Sequence, residues 1–331
     1  MHATLKRIWN SALVLLALTN LLWAGNFIVG RAVAGTVPPV ALAFWRWTGA
    51  FMVAFGFAWP HLVRDGPHLL RRAPILVVLA TTGVASYNTM TYIGLHDTTA
   101  VNALLLQSAM PVVILLVAFA LYRERPGLYQ ILGVVVSLLG VAAIAGHGSP
   151  AALLQLSFNR GDVWVMGAVL VYALYTVLLR RRPRVHPLSL LVALMGIGSL
   201  LMLPFYVIEA RGGAAVTGGW PSYAAIAYTA VLPSFVSYMF FNRSVELIGA
   251  ARAGQSMHLM PVFGTLLAVV FLGERLEIYH GAGIALIAAG LVLASLRGGK
   301  TAEGKTPDTK AGDGKAGEKS SPPPRPPNPQ S

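Results

Sequence analysis

The chain has 331 residues, of which 56% are hydrophobic and only 11% are charged, and its formal net charge is +13. Soluble domains carry roughly 25% charged residues, so this composition argues against a water-soluble fold and indicates a protein solvated by lipid. The absence of cysteine excludes disulfides, a thiolate nucleophile and a cysteine-ligated metal site. The basic residues lie in short segments between apolar blocks and in the tail, so we expect no nucleic-acid partner.

Ten apolar blocks of about 20 residues follow one another along the chain. A helix of that length spans the roughly 30 Å hydrocarbon core, and the blocks lack the alternation of transmembrane strands. We therefore predict an all-α membrane protein with ten transmembrane helices. The blocks are 11–32, 38–60, 74–95, 98–121, 127–146, 161–180, 187–209, 222–242, 250–272 and 278–296.

The first block also has features of a secretory signal, because Lys6 and Arg7 precede it. Its apolar run is longer than the usual signal core and contains Asn20, Asn26 and Arg31. We therefore interpret it as the first transmembrane helix.

Basic residues set the predicted orientation. With the N-terminus in the cytoplasm, thirteen Lys and Arg residues before the tail fall on cytoplasmic segments and four fall on external ones. Cytoplasmic loops of membrane proteins carry an excess of these residues. We therefore expect a multi-pass protein of the bacterial inner membrane with both termini in the cytoplasm.

Two segments fall outside the apolar blocks. Residues 147–160 form the longest internal connector, which the predicted orientation places in the periplasm. Residues 298–331 are rich in Gly, Lys, Pro, Ser and Thr and contain almost nothing apolar. A segment of that composition cannot bury a core, so we predict a disordered cytoplasmic tail.

The two halves of the chain resemble each other at a constant offset of 150 residues between 100–140 and 250–290. The offset aligns Pro111 with Pro261, Glu124-Arg125 with Glu274-Arg275, Tyr129 with Tyr279, Gly133 with Gly283, and Gly140 with Gly290. More loosely, Trp23 aligns with Tyr172. Each repeat holds five helices, an odd number, so we predict that residues 161–297 enter the membrane opposite to residues 1–146. Inverted repeats allow alternating access to a substrate site near the midplane.

Two of the repeated features have structural interpretations. The glycines of each repeat are two helical turns apart and share a face, and small residues on one face let helices pack closely in lipid. The glutamates of the two Glu-Arg pairs lie at helix ends, which favours structural ion pairs with arginine.

Several short motifs lie in the first half, and one set of them recurs in the second half. They are Trp23-Ala24-Gly25-Asn26-Phe27, Pro39 followed by Arg46, Pro111 leading to Glu124-Arg125, Gly133 and Gly140, and the second copy at Pro261, Glu274-Arg275, Gly283 and Gly290. Together they resemble the EamA family of the drug/metabolite transporter superfamily, over residues 10–296. The resemblance implies ten helices in inverted repeats and the export or exchange of small organic solutes such as amino acids. The nearest similarity is to bacterial amino-acid exporters.

Polar and aromatic side chains within the blocks are candidates for a substrate site, because polar groups in lipid usually face a bundle interior or a water-filled cavity. The candidates are Trp23, Asn26, Tyr87, Asn88, Tyr92, Gln107, Ser108, Tyr172, Tyr175, Ser237, Tyr238, Gln255 and His258. Pro111 and Pro261 are expected to kink their helices, and broken helices at corresponding places in two repeats point to a transport site. Bending for packing alone would explain both prolines equally well.

Two ionisable side chains have two interpretations each. His258 could bind a substrate carboxylate or accept a coupling proton, and a hydrogen-bonded structural histidine is an equal alternative. Arg46 could attract a substrate carboxylate, but its closeness to Pro39 favours a role in holding a loop at the outer interface. No Asp or Glu lies at a midplane position, so a proton relay has little support and we expect facilitated movement or exchange.

An intramembrane enzyme or lipid-modifying protein is the main competing class. Such a protein should show clustered histidines and carboxylates, whereas the eight histidines here are scattered and no HExxH, GxSxG or phosphate-binding loop occurs. We therefore predict no catalytic residue, metal or cofactor. The expected partners are a small-molecule substrate and the lipid bilayer, and we allow for a homodimer. Drugs, nucleosides and sugars stay open as other cargoes. A channel is not favoured, because the sequence contains no filter-like segment.

Overall fold

The computed structural model describes residues 8–107, 109–123, 127–145, 149, 159–248, 256 and 259–295. These residues form helices joined by short turns, with no strand among them, which confirms the all-α prediction for this part of the chain. Ser108, Gln255, His258, most of the connector 147–160 and the predicted tail 298–331 lie outside the described residues.

The α-helices follow the predicted blocks in chain order. They are α1 (Ala12–Ala32), α2 (Pro39–Arg71), α3 (Ala73–Ala80), α4 (Tyr87–Asp97), α5 (Ala100–Gln107), α6 (Met110–Tyr122), α7 (Leu128–Ala145), α8 (Arg160–Leu178), α9 (Pro187–Arg211), α10 (Trp220–Val231), α11 (Ser237–Ile248), α12 (Leu259–Leu272) and α13 (Ile278–Ser295). Pro39 and Pro187 each begin a helix, where the missing N–H is not needed.

Six helical segments in the described residues are long and apolar enough to cross a membrane. They are Ala12–Ala32, Pro39–Arg71, Ala73–Asp97, Arg160–Arg181, Pro187–Arg211 and Trp220–Ile248. A seventh results if the bent pair Ala100–Gln107 and Val112–Tyr122 counts as one span. Shorter apolar helices lie at Ile131–Gly140, Val262–Leu272 and Ile278–Gly290. The protein is therefore a multi-pass helical membrane protein.

In each half, a π-helical turn interrupts the third predicted apolar block at a corresponding position. The turns are Thr81–Ser86, between α3 and α4, and Leu232–Val236, between α10 and α11. A wider turn displaces backbone carbonyls from their usual N–H partners. At the second turn, the hydroxyl of Ser234 donates to the carbonyl of Thr229 at 2.8 Å. The hydroxyl of Ser237, the residue that follows the turn, donates to the carbonyl of Leu232 at 3.0 Å. The spacing of the two turns is close to the 150-residue offset of the sequence repeat.

Carboxylates from the second half cap two helix N-termini of the first half. The bonds run from the N–H groups of Val40 and Ala41 to Glu209 at 3.1 and 2.7 Å, and from those of Ala100 and Val101 to Glu274 at 2.8 and 2.9 Å. The first N–H groups of a helix lack intrahelical partners and carry partial positive charge, so a carboxylate satisfies both needs. In the described residues this backbone cap takes the place of the ion pair expected between Glu274 and arginine. Glu124 lies outside them.

Helices α7 and α13 cross at the glycines predicted to pack. A Cβ atom at Gly140 would lie 2.8 Å from the carbonyl oxygen of Gly283, and one at Gly290 would lie 2.5 Å from that of Gly133. The glycines of the two repeats therefore face each other, which confirms their predicted packing role.

Replacing Gly290 with alanine should destabilise the protein. The new methyl group would meet backbone atoms of α7, which cannot swing aside as a flexible side chain would, and overpacking of this kind costs about 1–3 kcal/mol. Thermal unfolding of the purified protein in detergent should therefore give a lower Tm for Gly290→Ala.

Gly281→Ala is the matched control on the same helix. A Cβ atom at Gly281 enters open space, so only the higher helix propensity of alanine applies and the Tm should stay or rise. Equal Tm values for the two variants would contradict the close crossing of α7 and α13.

Candidate functional site

Arg46 lies deep inside the helix bundle, with only 4% of its surface exposed. Its Nε donates a hydrogen bond to Ser234 Oγ at 2.6 Å. Its Nη1 lies 2.8 Å from Asn26 Oδ1, 2.7 Å from Asn88 Oδ1 and 2.9 Å from the hydroxyl oxygen of Tyr92. At 1.5 Å per residue, Arg46 stands about 10 Å from the start of α2, too deep to hold an end loop. The interpretation of Arg46 as an interface anchor is therefore wrong.

The groups around this guanidinium are neutral. Its carbon atom lies 4.9 Å from the ring centre of Trp47, a cation–π distance. Within the described residues, the ion pairs join Arg64 to Asp65 and Arg243 to Glu246, and none reaches Arg46. The positive charge is therefore solvated by amide, hydroxyl and aromatic groups.

Two aromatic contacts connect the halves in an equivalent manner. Trp23 on α1 packs edge-to-face on Tyr238 of α11, with ring centres 5.8 Å apart. Tyr172 on α8 packs on Tyr87 of α4, with ring centres 4.5 Å apart. In both cases the first helix of one half contacts the helix that follows the π turn of the other half. The loose sequence alignment of Trp23 with Tyr172 thus has a counterpart in their contacts.

Gln107, Tyr175 and Ser237 take different places around these contacts. Gln107 is buried and accepts a hydrogen bond from the Tyr87 hydroxyl at 3.3 Å, whereas its Nε2 is enclosed without a partner. Tyr175 packs on Tyr172 at 5.2 Å. The Ser237 hydroxyl is buried and donates a hydrogen bond to the carbonyl of Leu232 at 3.0 Å, so its place in a substrate site stays a prediction.

The structure therefore brings most of the predicted site residues into two adjoining groups, one bonded to Arg46 and one of aromatic rings with Gln107. They meet where the Trp23 indole N–H bonds the carbonyl of Pro233, next to Ser234. Their members are Trp23, Asn26, Tyr87, Asn88, Tyr92, Gln107, Tyr172, Tyr175 and Tyr238, and we call them, together with Arg46 and Ser234, the central cluster. Ser108, Gln255 and His258 lie outside the described residues, so their relation to the cluster stays a prediction.

Both predicted kink prolines lie near the start of a helix. The chain bends by 43° between Ala100–Gln107 and Val112–Tyr122, and Pro111 lies at this break. The break ends α5 at Gln107, which belongs to the central cluster. Pro261 is in the first turn of α12, where proline is tolerated.

Sequence reasoning allowed Arg46 a carboxylate-binding role but favoured the outer interface, and it included neither Arg46 nor Ser234 in the list of site candidates. The available signal was depth, because an arginine two helical turns inside an apolar block must find partners within the bundle. For Ser234 the signal was the preceding Pro233, which lacks an N–H and occurs within the π turn.

The two ends of the bundle differ in their charged residues. The carboxylate end, which holds Asp162, Glu209 and Glu274, is joined across the halves by hydrogen bonds, including one of 2.5 Å from Thr98 to Asp162. The arginine end has a cavity of about 520 Å³ lined by His68, Arg71, Arg72, Arg180, Arg181, Arg182, Pro183 and Arg184. The described residues hold no group of three His, Asp or Glu side chains arranged for a metal ion.

His186 is the N-cap residue of α9, at the arginine end. Its Nδ1 accepts a hydrogen bond from the N–H of Leu188 at 3.3 Å, and its ring stacks on His61 at 3.7 Å. Burial, followed by the neighbouring His61, lowers the pKa of His186 below its ordinary value of 6.5. Protonation would also remove the nitrogen lone pair that caps the helix.

This lowered pKa predicts that acid weakens the fold at α9. Because the pKa of His186 is lower in the folded than in the unfolded protein, its contribution to stability is present above the unfolded value and is lost as the pH falls through the folded one. The Tm of the wild type should therefore fall between about pH 7.5 and pH 5.5. His186→Asn should fall less, since asparagine caps a helix without titrating.

The control is His68→Asn, which removes an exposed histidine from the same end. It should retain the acid sensitivity of the wild type. A fall in Tm as large in His186→Asn as in the wild type would contradict the assignment.

Comparisons with known proteins agree with this architecture. Residues 10–146 and 159–296 each match the EamA-like transporter family. An "Uncharacterized transporter YyaM" of Bacillus subtilis is 24% identical over 272 residues, covering 82% of this chain and 88% of that protein. A "Probable terminal-alkyne amino-acid exporter" of Streptantibioticus cattleyicolor is 28% identical over 295 residues, covering 88% and 94%.

Two further comparisons concern the membrane and the fold. An "Uncharacterized inner membrane transporter YicL" of Salmonella typhimurium is 24% identical over 249 residues, covering 75% of this chain and 81% of that protein. A solved crystal structure superposes with a TM-score of 0.58 at 21% identity, covering 87% of this chain and 98% of the other. The last similarity concerns the fold alone.

Proposed function

Because the chain belongs to the EamA-like transporter family, we propose that it is a secondary transporter of small organic metabolites, in particular amino acids and related compounds. The names of the family and of its relatives indicate a transporter rather than an enzyme. The cargo class is supported by the amino-acid exporter among the relatives. Aromatic, amide and hydroxyl groups in the central cluster are suited to a small molecule with polar and apolar parts.

The proposed architecture is ten spans in two inverted five-helix repeats, residues 1–146 and 161–297, with a connector at 147–160. Helices α7 and α13 have 18 residues each, which is about 27 Å of helix and close to the hydrocarbon thickness. Their mutual packing through paired glycines supports treating both as spans. Helix α12 is shorter, at 14 residues, and supplies part of the ninth span in this proposal.

The observation that carries the mechanism is the pair of equivalent aromatic contacts, Trp23 with Tyr238 and Tyr172 with Tyr87. Each contact joins the two halves beside a π turn, where the helix is already interrupted. We propose that the halves exchange two packings at these contacts and expose the central cluster alternately to either side. Among the residues that the structure describes, no acidic side chain pairs with Arg46, which supports facilitated movement or exchange in preference to proton coupling.

Transport can be tested with purified protein in liposomes. We expect accelerated flux of at least one labelled amino acid from a panel that also contains nucleosides and sugars. Trp23→Ala and Tyr172→Ala should each slow this flux roughly two- to tenfold, since an aromatic pair contributes about 0.5–1.5 kcal/mol. An imposed pH gradient should leave the wild-type flux unchanged.

The matched control is Trp220→Ala, since this tryptophan is 80% exposed and lies outside the central cluster. It should transport at the wild-type rate. The proposed function fails if no solute in the panel moves faster than in protein-free liposomes.

We also propose that both termini are cytoplasmic, because the arginine end should face the cytoplasm. The chain has no cysteine, so single introduced cysteines report sidedness directly. A membrane-impermeant maleimide should label Ala215→Cys in intact cells, and should label His68→Cys only after permeabilisation. Both positions are exposed, and they lie at opposite ends of the bundle. The reverse labelling pattern would invert the proposed orientation.

A further inference from the structure

We propose that the guanidinium group of Arg46 binds a carboxylate of the transported molecule, so that an organic acid or amino acid is recognised and its carboxamide is not. This inference rests on the proposed transport function and names the group of the cargo that the central cluster recognises. It is carried by the charge, the donor count and the surroundings of Arg46.

The first argument is charge. Arg46 is buried, and the groups that bond it are the neutral side chains of Asn26, Asn88, Tyr92 and Ser234. Buried charges in proteins are normally paired with an opposite charge, because neutral dipoles replace only part of the lost hydration. In the described residues no Asp or Glu forms an ion pair with Arg46. The site therefore favours an anion that comes from outside the protein.

The second argument is the number of donors. A guanidinium group has five N–H donors, one on Nε and two on each terminal nitrogen. Nε uses its donor on Ser234, and Nη1 is surrounded by three oxygens for its two donors. Nη2 makes no hydrogen bond within the described part of the chain, and it is not one of the enclosed atoms that lack a partner. It therefore keeps some accessible surface, and its two N–H groups make no hydrogen bond to these residues.

The third argument is the composition of the surroundings. Gln107 Nε2 is a buried donor without a partner, and its oxygen is bonded to Tyr87. The ring of Tyr87 packs on Tyr172 beside Gln107, and the ring centre of Trp47 lies 4.9 Å from the guanidinium carbon of Arg46. Unused donors next to aromatic surface match a molecule with a carboxylate at one end and an apolar part at the other.

The decisive variant is Asn88→Asp. Aspartate has nearly the shape of asparagine, and its oxygen would lie against the same guanidinium nitrogen, 2.7 Å away in the native protein. The new carboxylate would neutralise Arg46 from within and repel an incoming anion, while preserving the hydrogen bond. Asn26→Asp, at 2.8 Å from that nitrogen, is the second variant if the first fails to fold.

Binding is measured as the shift in Tm of the purified full-length protein. The probes are the twenty L-amino acids, their carboxamides, and a set of neutral nucleosides and sugars. We expect at least one amino acid to raise the Tm of the wild type and its carboxamide to have no effect. In Asn88→Asp the affinity for that amino acid should fall on the order of tenfold to a hundredfold, with an unliganded Tm no lower than that of the wild type.

Asn102→Asp is the matched control, a buried asparagine whose oxygen lies 3.0 Å from His280 Nε2 and not at Arg46. It should bind the amino acid as the wild type does. The inference is overturned if acid and carboxamide bind equally, if Asn88→Asp binds like the wild type, or if only neutral solutes bind. Absence of flux combined with selective carboxylate binding would instead refute the transport function and leave the Arg46 assignment standing.

Discussion

A charged guanidinium inside a lipid-solvated bundle must be surrounded by oxygen atoms, and the centre of this protein is organised around that requirement. Arg46 draws its oxygens from three other helices of the bundle, through Asn26 on α1, Asn88 and Tyr92 on α4, and Ser234 in the π turn before α11. Asn88 and Tyr92 are four residues apart, so they present their polar atoms on one face of α4. The helices of both halves are thereby fixed relative to one charge.

The π turn at Leu232–Val236 serves the same requirement. Pro233 has no N–H to complete a regular helical ladder, and Ser234 bonds the carbonyl of Thr229 with its own hydroxyl. That hydroxyl oxygen is then free to accept the hydrogen bond from Arg46 Nε. Trp23 bonds the carbonyl of Pro233 through its indole N–H at 3.0 Å. An irregular backbone is acceptable in lipid when neighbouring side chains satisfy its polar groups, and here those side chains belong to the central cluster.

The sequence predicted those features that depend on local pattern. Hydropathy located the helices, and the spacing of Gly133 with Gly140 and of Gly283 with Gly290 located a packing face. The surroundings of Arg46 and the partners of Glu274 depend on contacts between residues 20 to 188 positions apart, which no local pattern contains. The sequence neighbours of each residue suggested an interface anchor for Arg46 and an arginine partner for Glu274. In the folded chain Glu274 bonds backbone N–H groups of the other half, and Arg46 is bonded by side chains of its own half together with Ser234 of the other.

Two of the contacts between the halves differ in how easily they can be broken. Where α7 crosses α13, glycine backbones touch, and such packing has few alternatives because any displacement opens a void. At the carboxylate end, Glu209 and Glu274 hold helix N-termini through hydrogen bonds that water can replace at little net cost. A rearrangement between the halves would therefore break the capping bonds sooner than the glycine crossing.

The repeat is symmetric in its scaffold and asymmetric in its charge. Pro39 and Pro187 begin corresponding helices, and counting seven residues from each leads to Arg46 in the first half and to Leu194 in the second. Leu194 is buried and apolar, so the pseudo-symmetric partner of the guanidinium carries no charge. The aromatic contacts of Trp23 and Tyr172, by contrast, are kept in both halves. A symmetric scaffold permits two equivalent packings, whereas a single charge gives the space between the halves one polar side and one apolar side. A molecule bound there would be held in one orientation, with its anionic group towards α2 and its apolar part towards the second half.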